Sequence, residues 1–153
     1  MSRYDWLLFL HVIAAFATVA SVVVFAGLLG ATWRVSAPGD AMPLLRLSRL
    51  AEMLWNVGGA GVLILGVWLA VDVDGYGLAD GWIVAAFVLW VVAGASGGMV
   101  GRGYRDALAG GRAGGTATLA STIRSSRSLL LHGVMAVAVA ALLVVMIWKP
   151  GAA

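Results

Sequence analysis

The chain contains no cysteine and few charged residues. Without cysteine it has no disulfide bond, no thiolate metal site and no cysteine nucleophile. Charged residues make up 11% of its 153 residues, whereas 62% of the residues are apolar and the mean hydropathy is +1.00. An ordinary soluble domain is about 25% charged and about 45–50% apolar. This composition excludes a soluble monomer.

Four long stretches lack any charged residue, and each is long enough to cross a bilayer. The hydrocarbon core of a membrane is about 30 Å thick and requires about 20 apolar helical residues. We predict an all-α fold, an integral membrane four-helix antiparallel bundle that forms one domain over residues 1–153. The predicted spans are 6–30, 53–71, 81–100 and 128–148. The first span is longer than the apolar core of a signal peptide, so we expect it to be retained.

The distribution of basic residues predicts the orientation in the membrane. Loops rich in Lys and Arg stay in the cytoplasm. On the side of the two termini the basic residues are Arg3 and Lys149. The loops after the first and the third span lie on the opposite side and carry eight arginines: Arg34, Arg46, Arg49, Arg102, Arg105, Arg112, Arg124 and Arg127. We therefore expect both termini outside the cytoplasm. Because topology accounts for these arginines, the net charge of +3 does not indicate a nucleic-acid partner.

Both basic loops are predicted to contain helical extensions of the spans that follow them. Asp40 is a good N-cap, and apolar and basic residues alternate at helical spacing after it, so the second helix should begin near Ala41 and include 41–52. A glycine-rich segment precedes 116–127, and the fourth helix should begin near Thr116. The loop between the second and third spans is short, which predicts a tight antiparallel pair.

Small residues inside the spans predict close helix packing. Membrane helices associate through such residues because lipid removes the hydrophobic drive between helices. The candidate packing positions are Gly58, Gly59, Gly97, Gly101, Ala136 and Ala140. We interpret them as contacts within the bundle, and a homo-oligomer is the alternative.

No Asp, Glu, Lys or Arg lies inside a predicted span, but both histidines do. Pumps and many transporters depend on charged residues within the membrane, so this absence argues against them. His132 lies at about the same depth as Asn56 and Ser96. We expect these three residues to form a hydrogen-bonded structural cluster near the cytoplasmic face.

His11 lies near the opposite face and is the candidate binding residue. Its helical face continues through Ala14, Ala15 and Thr18, which leave room beside the ring. No side chain at its depth offers a strong partner, so we expect His11 to point into the bundle and border a cavity. A backbone carbonyl, a water or a cofactor would serve as the partner of the His11 ring. Haem b is the candidate cofactor, with Met146 as a poorly matched second ligand. The two histidines differ by about 15 Å in depth, so they cannot bind one metal ion together, and we predict no other metal site.

Several segments resemble a bacterial family of predicted integral membrane proteins, domain of unknown function 2269. They are "WLLFLHVIAAF", "GVLILGVWLAVD" leading into "GWIVAAFVLWVVAG", and the ending "VVMIWKP". The resemblance implies four helices and no established activity. The nine arginines and single lysine, together with many Ala, Gly and Val residues, are typical of a high-GC bacterial coding style.

The histidine after "LLFL" is also similar to that of two other four-helix groups, the copper-resistance D family and the membrane protoporphyrinogen oxidases. The latter are associated with haem, which His11 would carry. They also use an intramembrane lysine, whereas the only lysine here is Lys149, at the end of the last span. The resemblance therefore extends to cofactor binding and not to the oxidase activity.

These observations leave three functions open. The first is a scaffold or accessory subunit of a complex in the bacterial cytoplasmic membrane, with lipid and other membrane subunits as partners. The second is a haem- or quinone-binding redox protein that uses His11. The third is a small-molecule transporter, for which few polar residues are present. No catalytic residue is identified, so the sequence does not indicate an enzyme.

Overall fold

The computed structural model describes residues 2–34, 41–72, 77, 79–112, 123 and 125–150. Its regular structure in these ranges is entirely helical. The helices are α1 (Arg3–Arg34), α2 (Ala41–Arg46), α3 (Ser48–Asp72), α4 (Gly81–Arg112) and α5 (Ser126–Trp148). All but the short α2 are long enough and apolar enough to cross a membrane. The expectation of an all-helical fold with four long apolar helices, compatible with a bundle, is confirmed.

Local side-chain contacts explain where several helices begin and end. At the start of α1 the Ser2 backbone amide donates to Asp5 Oδ2 (2.7 Å), and the Asp5 amide donates to Ser2 Oγ (3.2 Å). This reciprocal pair satisfies amides that the first helical turn leaves without partners. At the other end of the chain Lys149 adopts a left-handed conformation (φ 40°) and its amide donates to the Val145 carbonyl, which ends α5.

The helical segment before the second span is interrupted. It begins at Ala41, where the sequence places it, but breaks at Leu47 into α2 and α3. The predicted start of the last helix near Thr116 lies outside the described residues, within which α5 begins at Ser126. Ser125 caps α5 by accepting a hydrogen bond from the Ser128 amide (3.2 Å). A serine that bonds the backbone in this way favours a helix start over a helix interior.

Helix α4 continues well past its predicted end at Val100. The charged Arg102 was assigned to a loop, but one face of the following turns stays apolar and is buried: Val100, Tyr104, Ala107 and Leu108. This spacing of four, three and one residues is that of a helical face directed at a core. Packing therefore extends α4 to Arg112.

The four long helices form two pairs. Helix α1 packs along α3, and α4 packs along α5. The expected tight pairing of the second and third spans is wrong, because α3 and α4 touch at few points. The reason lies in the glycines of α3: a Cβ added at Gly58 would lie 2.7 Å from Thr18 Oγ1, and one at Gly61 would lie 2.8 Å from Ala14 Cβ. These glycines let the α1 and α3 backbones approach closely.

We call the end of the bundle with Ser2, Asp72, Trp82 and Lys149 the terminal end, and the end with Arg34, Arg49 and Arg105 the basic end. The main core lies toward the basic end, where it joins both helix pairs. Its buried residues are Phe25, Leu28, Leu45, Ala51, Val100, Tyr104, Ala107, Leu108, Ile123 and Met135. The two pairs are thus held together mainly at one end of the molecule.

Two tryptophans bridge α3 and α4. A Cβ added at Gly97 would overlap the ring of Trp55, so this glycine of α4 makes room for a side chain of α3. In the opposite direction, Trp90 Nε1 of α4 donates to the Gly59 carbonyl of α3 (3.0 Å). The two pairs therefore meet here through long side chains and not backbone to backbone.

The predicted packing residues have different roles in the structure. Gly58 lies at the α1–α3 contact, whereas Gly97 and Gly101 accommodate Trp55 and Glu52, with 3.3 Å from a Cβ at Gly101 to Glu52 Cγ. Glu52 in turn pairs with Arg105 Nη1 (2.6 Å). A Cβ added at Gly59 would have no neighbour within 4 Å; Ala136 is half-buried and Ala140 is exposed.

Candidate ligand cleft

The space between the two helix pairs contains two adjoining cavities, of about 510 and 600 Å³. They share six wall residues: Ala15, Val19, Val62, Trp90, Leu142 and Leu143. We call the combined space the cleft. Each cavity has a volume typical of small-molecule sites, about 300–1,000 Å³. The cleft exists because the helices of different pairs do not pack closely along this length.

The cleft is long and its walls are mostly apolar. On α3 its wall runs from Asn56 to Ala70, a rise of about 21 Å at 1.5 Å per residue. The larger cavity lies toward the terminal end and includes His11, Met146 and Lys149. The smaller one lies deeper and includes Thr18 and Asn56. A few polar groups on an apolar wall are the usual composition of a binding site for a small amphiphile.

His11 lies on the wall of the larger cavity, as its helical face predicts. Its ring packs on Gly66 of α3, where an added Cβ would lie 3.0 Å from Cε1 and 3.4 Å from Nδ1. The backbone carbonyl of Val62 lies beside the ring. Nδ1 is nevertheless fully buried and makes no hydrogen bond of normal geometry within the described part of the chain. The contact with Gly66 fixes the position of the ring and leaves its hydrogen-bonding capacity incompletely used.

Met146 lines the same cavity as His11. The two side chains that the sequence proposes as haem ligands therefore lie on the wall of one cavity. The other histidine belongs to the basic end and lines neither cavity. Among the described residues no group of three or more His, Cys, Asp or Glu side chains could hold a metal ion.

The second predicted cluster has different members from those expected. His132 Nδ1 lies 2.7 Å from the Ser128 carbonyl, and its Nε2 lies 3.3 Å from Tyr104 Oη. Neither Asn56 nor Ser96 is a hydrogen-bond partner of His132 among the described residues: the Ser96 hydroxyl is 2.8 Å from the Val92 carbonyl of its own helix, and Asn56 is exposed on the cleft wall. The three residues were predicted to meet because they lie at equal depth in the membrane. Depth alone does not determine which side chains face each other.

Tyr104 is a neighbour of His132 that the sequence analysis does not predict. Its ring stacks on Phe25 at 5.4 Å between centroids and meets the His132 ring edge-on at 5.8 Å. Its hydroxyl also lies 3.4 Å from the Phe25 carbonyl. This aromatic cluster of Phe25, Tyr104 and His132 joins α1, α4 and α5 at the basic end. The apolar face that runs through Val100, Tyr104 and Leu108 was the signal for it.

No protein-family model, no curated protein and no solved structure matches this chain. The resemblance to domain of unknown function 2269 therefore stays a prediction from sequence motifs.

Proposed function

We propose that the protein is a multi-pass protein of the bacterial cytoplasmic membrane, with both termini outside the cytoplasm. Four long apolar helices support insertion. The concentration of arginine in the loops at the basic end supports the orientation.

We propose further that the protein binds an amphiphilic small molecule from the lipid phase in the cleft, with His11 as a polar contact. One observation carries this proposal: the half-buried ring of His11 lies on the wall of an apolar cavity of about 600 Å³. An apolar cavity with a few polar groups on its wall is the usual form of a small-molecule site. A ligand with a polar group at the depth of His11 would meet the imidazole there.

The cleft favours ligand binding over the two other functions. Protein interiors are normally packed as densely as organic crystals, and a protein that only holds other subunits together has no use for an open space between its helix pairs. A transporter requires a path through the molecule, whereas the basic end is filled by fully buried side chains such as Phe25, Leu45 and Tyr104. The cleft therefore does not continue through the basic end of the bundle.

Haem and quinone are the two redox ligands to be tested. His11 and Met146 fit a haem in the sense that both belong to the same cavity wall, and a bound haem would supply one-electron chemistry. A quinone would place its ring near His11 and its apolar tail along the 21 Å wall, an estimate from helical rise. Both molecules are amphiphiles with a large apolar part.

The test is to identify what the protein retains when it is purified from its own membranes in a neutral detergent. The absorption spectrum detects haem, solvent extraction detects quinones, and native mass spectrometry detects any other bound molecule. We expect one amphiphile per chain in the wild type and its loss in His11→Ala. Gly66→Ala should also weaken retention, because its methyl group would press on Cε1 at 3.0 Å.

His132→Ala is the matched control, since His132 belongs to the aromatic cluster and lines neither cavity. It should lower stability without releasing the bound molecule. A wild-type protein that retains only exchangeable bulk lipid, in amounts equal to those of His11→Ala, would contradict the proposal and favour the scaffold function.

A further inference from the structure

We propose that the cleft binds an elongated amphiphile with a hydrogen-bonding group near each end, one at His11 and the other at Asn56. This inference rests on the proposed function and specifies the chemical class of the ligand. The two groups are hydroxyls, carbonyls or amides, and the body between them is an apolar chain or ring system. A ligand of this class occupies both cavities of the cleft.

The first support is the position of Asn56 on the wall of the smaller cavity. The residue is exposed, and its side chain has no hydrogen-bond partner within the described part of the chain. A side-chain amide offers two donors and one acceptor oxygen. Most residues of this wall are apolar, so a polar group of a ligand that reaches the smaller cavity would gain a partner at Asn56.

The second support is that two other hydrogen-bonding side chains of the same wall are already engaged. Thr18 Oγ1 donates to the Ala14 carbonyl (3.0 Å), and Trp90 Nε1 donates to the Gly59 carbonyl (3.0 Å). Both are bonds to the helix backbone inside the protein. Asn56 therefore offers a ligand both donors and an acceptor that no contact among the described residues uses.

The third support is the spacing of the two polar groups along the cleft. The His11 ring contacts Gly66 of α3, where an added Cβ would lie 3.0 Å from Cε1. Asn56 precedes Gly66 by ten residues, which correspond to about 15 Å of helix. The wall that the two cavities share includes Val62, between these levels, and is apolar apart from the Trp90 indole nitrogen. The cleft thus presents a polar group, an apolar stretch and a second polar group.

An amphiphile with one polar end fits this arrangement less well. If its polar group lies at His11, as a quinone ring would, its hydrocarbon tail extends along the wall toward Asn56. The tail would then exclude water from the amide without replacing the lost hydrogen bonds, which is unfavourable. The wall therefore favours a ligand whose far end is polar as well.

The experiment compares two probes that differ only at one end. Dodecanediol carries a hydroxyl at both ends, and dodecanol carries one. The extended chain of both probes is comparable in length to the separation of about 15 Å between the two polar groups. Affinities are measured by native mass spectrometry titration of the full chain in a neutral detergent.

Asn56→Leu is the decisive variant, because leucine is similar in size to asparagine and forms no side-chain hydrogen bond. We expect it to bind dodecanediol about three- to tenfold more weakly than the wild type does, as the loss of one hydrogen bond implies. It should bind dodecanol at least as tightly as the wild type does. Asn56→Gln keeps the amide and should retain most of the affinity for dodecanediol.

Thr18→Val is the matched control. It removes a hydroxyl from the same cavity wall, but that hydroxyl already bonds the Ala14 carbonyl, and valine preserves the shape of the side chain. The affinities for both probes should stay unchanged. His11→Ala should weaken the binding of dodecanediol, since it removes the partner of the other hydroxyl.

Two kinds of result would overturn the inference and leave the proposed function intact. In the first, Asn56→Leu changes the affinities for the two probes equally, or Thr18→Val has the same effect as Asn56→Leu. In the second, the molecule that the wild type retains from its own membranes has a polar group at one end only. The proposed function itself fails if neither probe binds the wild type and the purified protein retains no molecule of its own.

Discussion

At the scale of single residues, the two histidines differ in their surroundings although both lie in apolar helices. Both ring nitrogens of His132 lie at hydrogen-bonding distance from protein groups, the Ser128 carbonyl and Tyr104 Oη. His11 Nδ1 has no such bond and its ring adjoins a cavity. The completed contacts of His132 suit a structural role, and the position of His11 beside the cavity is the basis of the binding role that we propose for it.

Replacing Tyr104 by Phe tests the structural role of the aromatic cluster. The change removes a hydroxyl that lies between His132 Nε2 and the Phe25 carbonyl and keeps the stacked ring. We expect the free energy of unfolding to fall by about 0.6–1.7 kcal/mol, the range for interhelical hydrogen bonds in membrane proteins. Reversible unfolding in mixed detergent micelles measures it.

Tyr4→Phe is the control for this measurement, because Tyr4 is 41% exposed and lies at the terminal end. Its loss of a hydroxyl should leave the free energy of unfolding unchanged. An equal effect of the two substitutions would show that the Tyr104 hydroxyl does not join the helices.

At the scale of helices, the pairing of α1 with α3 depends on where glycine lies on α3. Gly58 faces α1, with Thr18 Oγ1 and the Thr18 backbone nitrogen 2.7 and 2.8 Å from an added Cβ. At the next residue, Gly59, an added Cβ has open space. Two adjacent glycines of one helix therefore provide a direct comparison of a packed and an open position.

Gly58→Ala should destabilise the protein by about 1–3 kcal/mol, because the clash with backbone atoms cannot be relieved by a side-chain rotation. Gly59→Ala should be neutral or stabilising by up to about 1 kcal/mol, since alanine favours the helix. Thermal unfolding of both variants in the same detergent measures the difference. The assigned α1–α3 contact is incorrect if the two variants unfold alike.

The sequence predicts the helices better than it predicts their contacts. Hydropathy and length are properties of each helix alone, which is why the four long apolar helices and the start at Ala41 follow from the sequence. The start of α5 at Ser126 depends on one capping hydrogen bond, and the pairing of α1 with α3 depends on the rotation of two helices about their axes. The hydropathy of one sequence contains no information on the capping hydrogen bond or on these rotations.

For the candidate site, too, the sequence predicts the properties of single helices but not the contacts between them. That His11 faces the interior follows from the small residues on its side of α1. Met146 and Lys149 line the same cavity because the two helix pairs lie apart at this end of the bundle. The distance between the pairs depends on packing at the basic end, which the hydropathy of one helix does not describe. Likewise, the sequence does not predict that Tyr104 belongs to a helix, because Arg102 interrupts the uncharged run, although the apolar face of α4 continues beyond it.

At the scale of the whole molecule, the account requires the terminal and basic ends to lie on opposite sides of the membrane. Because the chain has no cysteine, single cysteines report on each end without a background signal. Ala79→Cys and Ala109→Cys place thiols at exposed positions near the two ends. In intact cells an impermeant maleimide should label the first and reach the second only after the membrane is permeabilised. Labelling of both from outside would refute the proposed topology.

The central claim is that the cleft holds a bound amphiphile and is not a packing defect. Ala15 tests it, because this residue lines both cavities and Ala15→Leu would fill space between the helix pairs. The most direct measurement is native mass spectrometry of the wild type and Ala15→Leu, each released from its own membranes. We expect one retained amphiphile per wild-type chain and its loss from Ala15→Leu at unchanged or higher thermal stability. Identical bound molecules in the two proteins, or none in either, would contradict it.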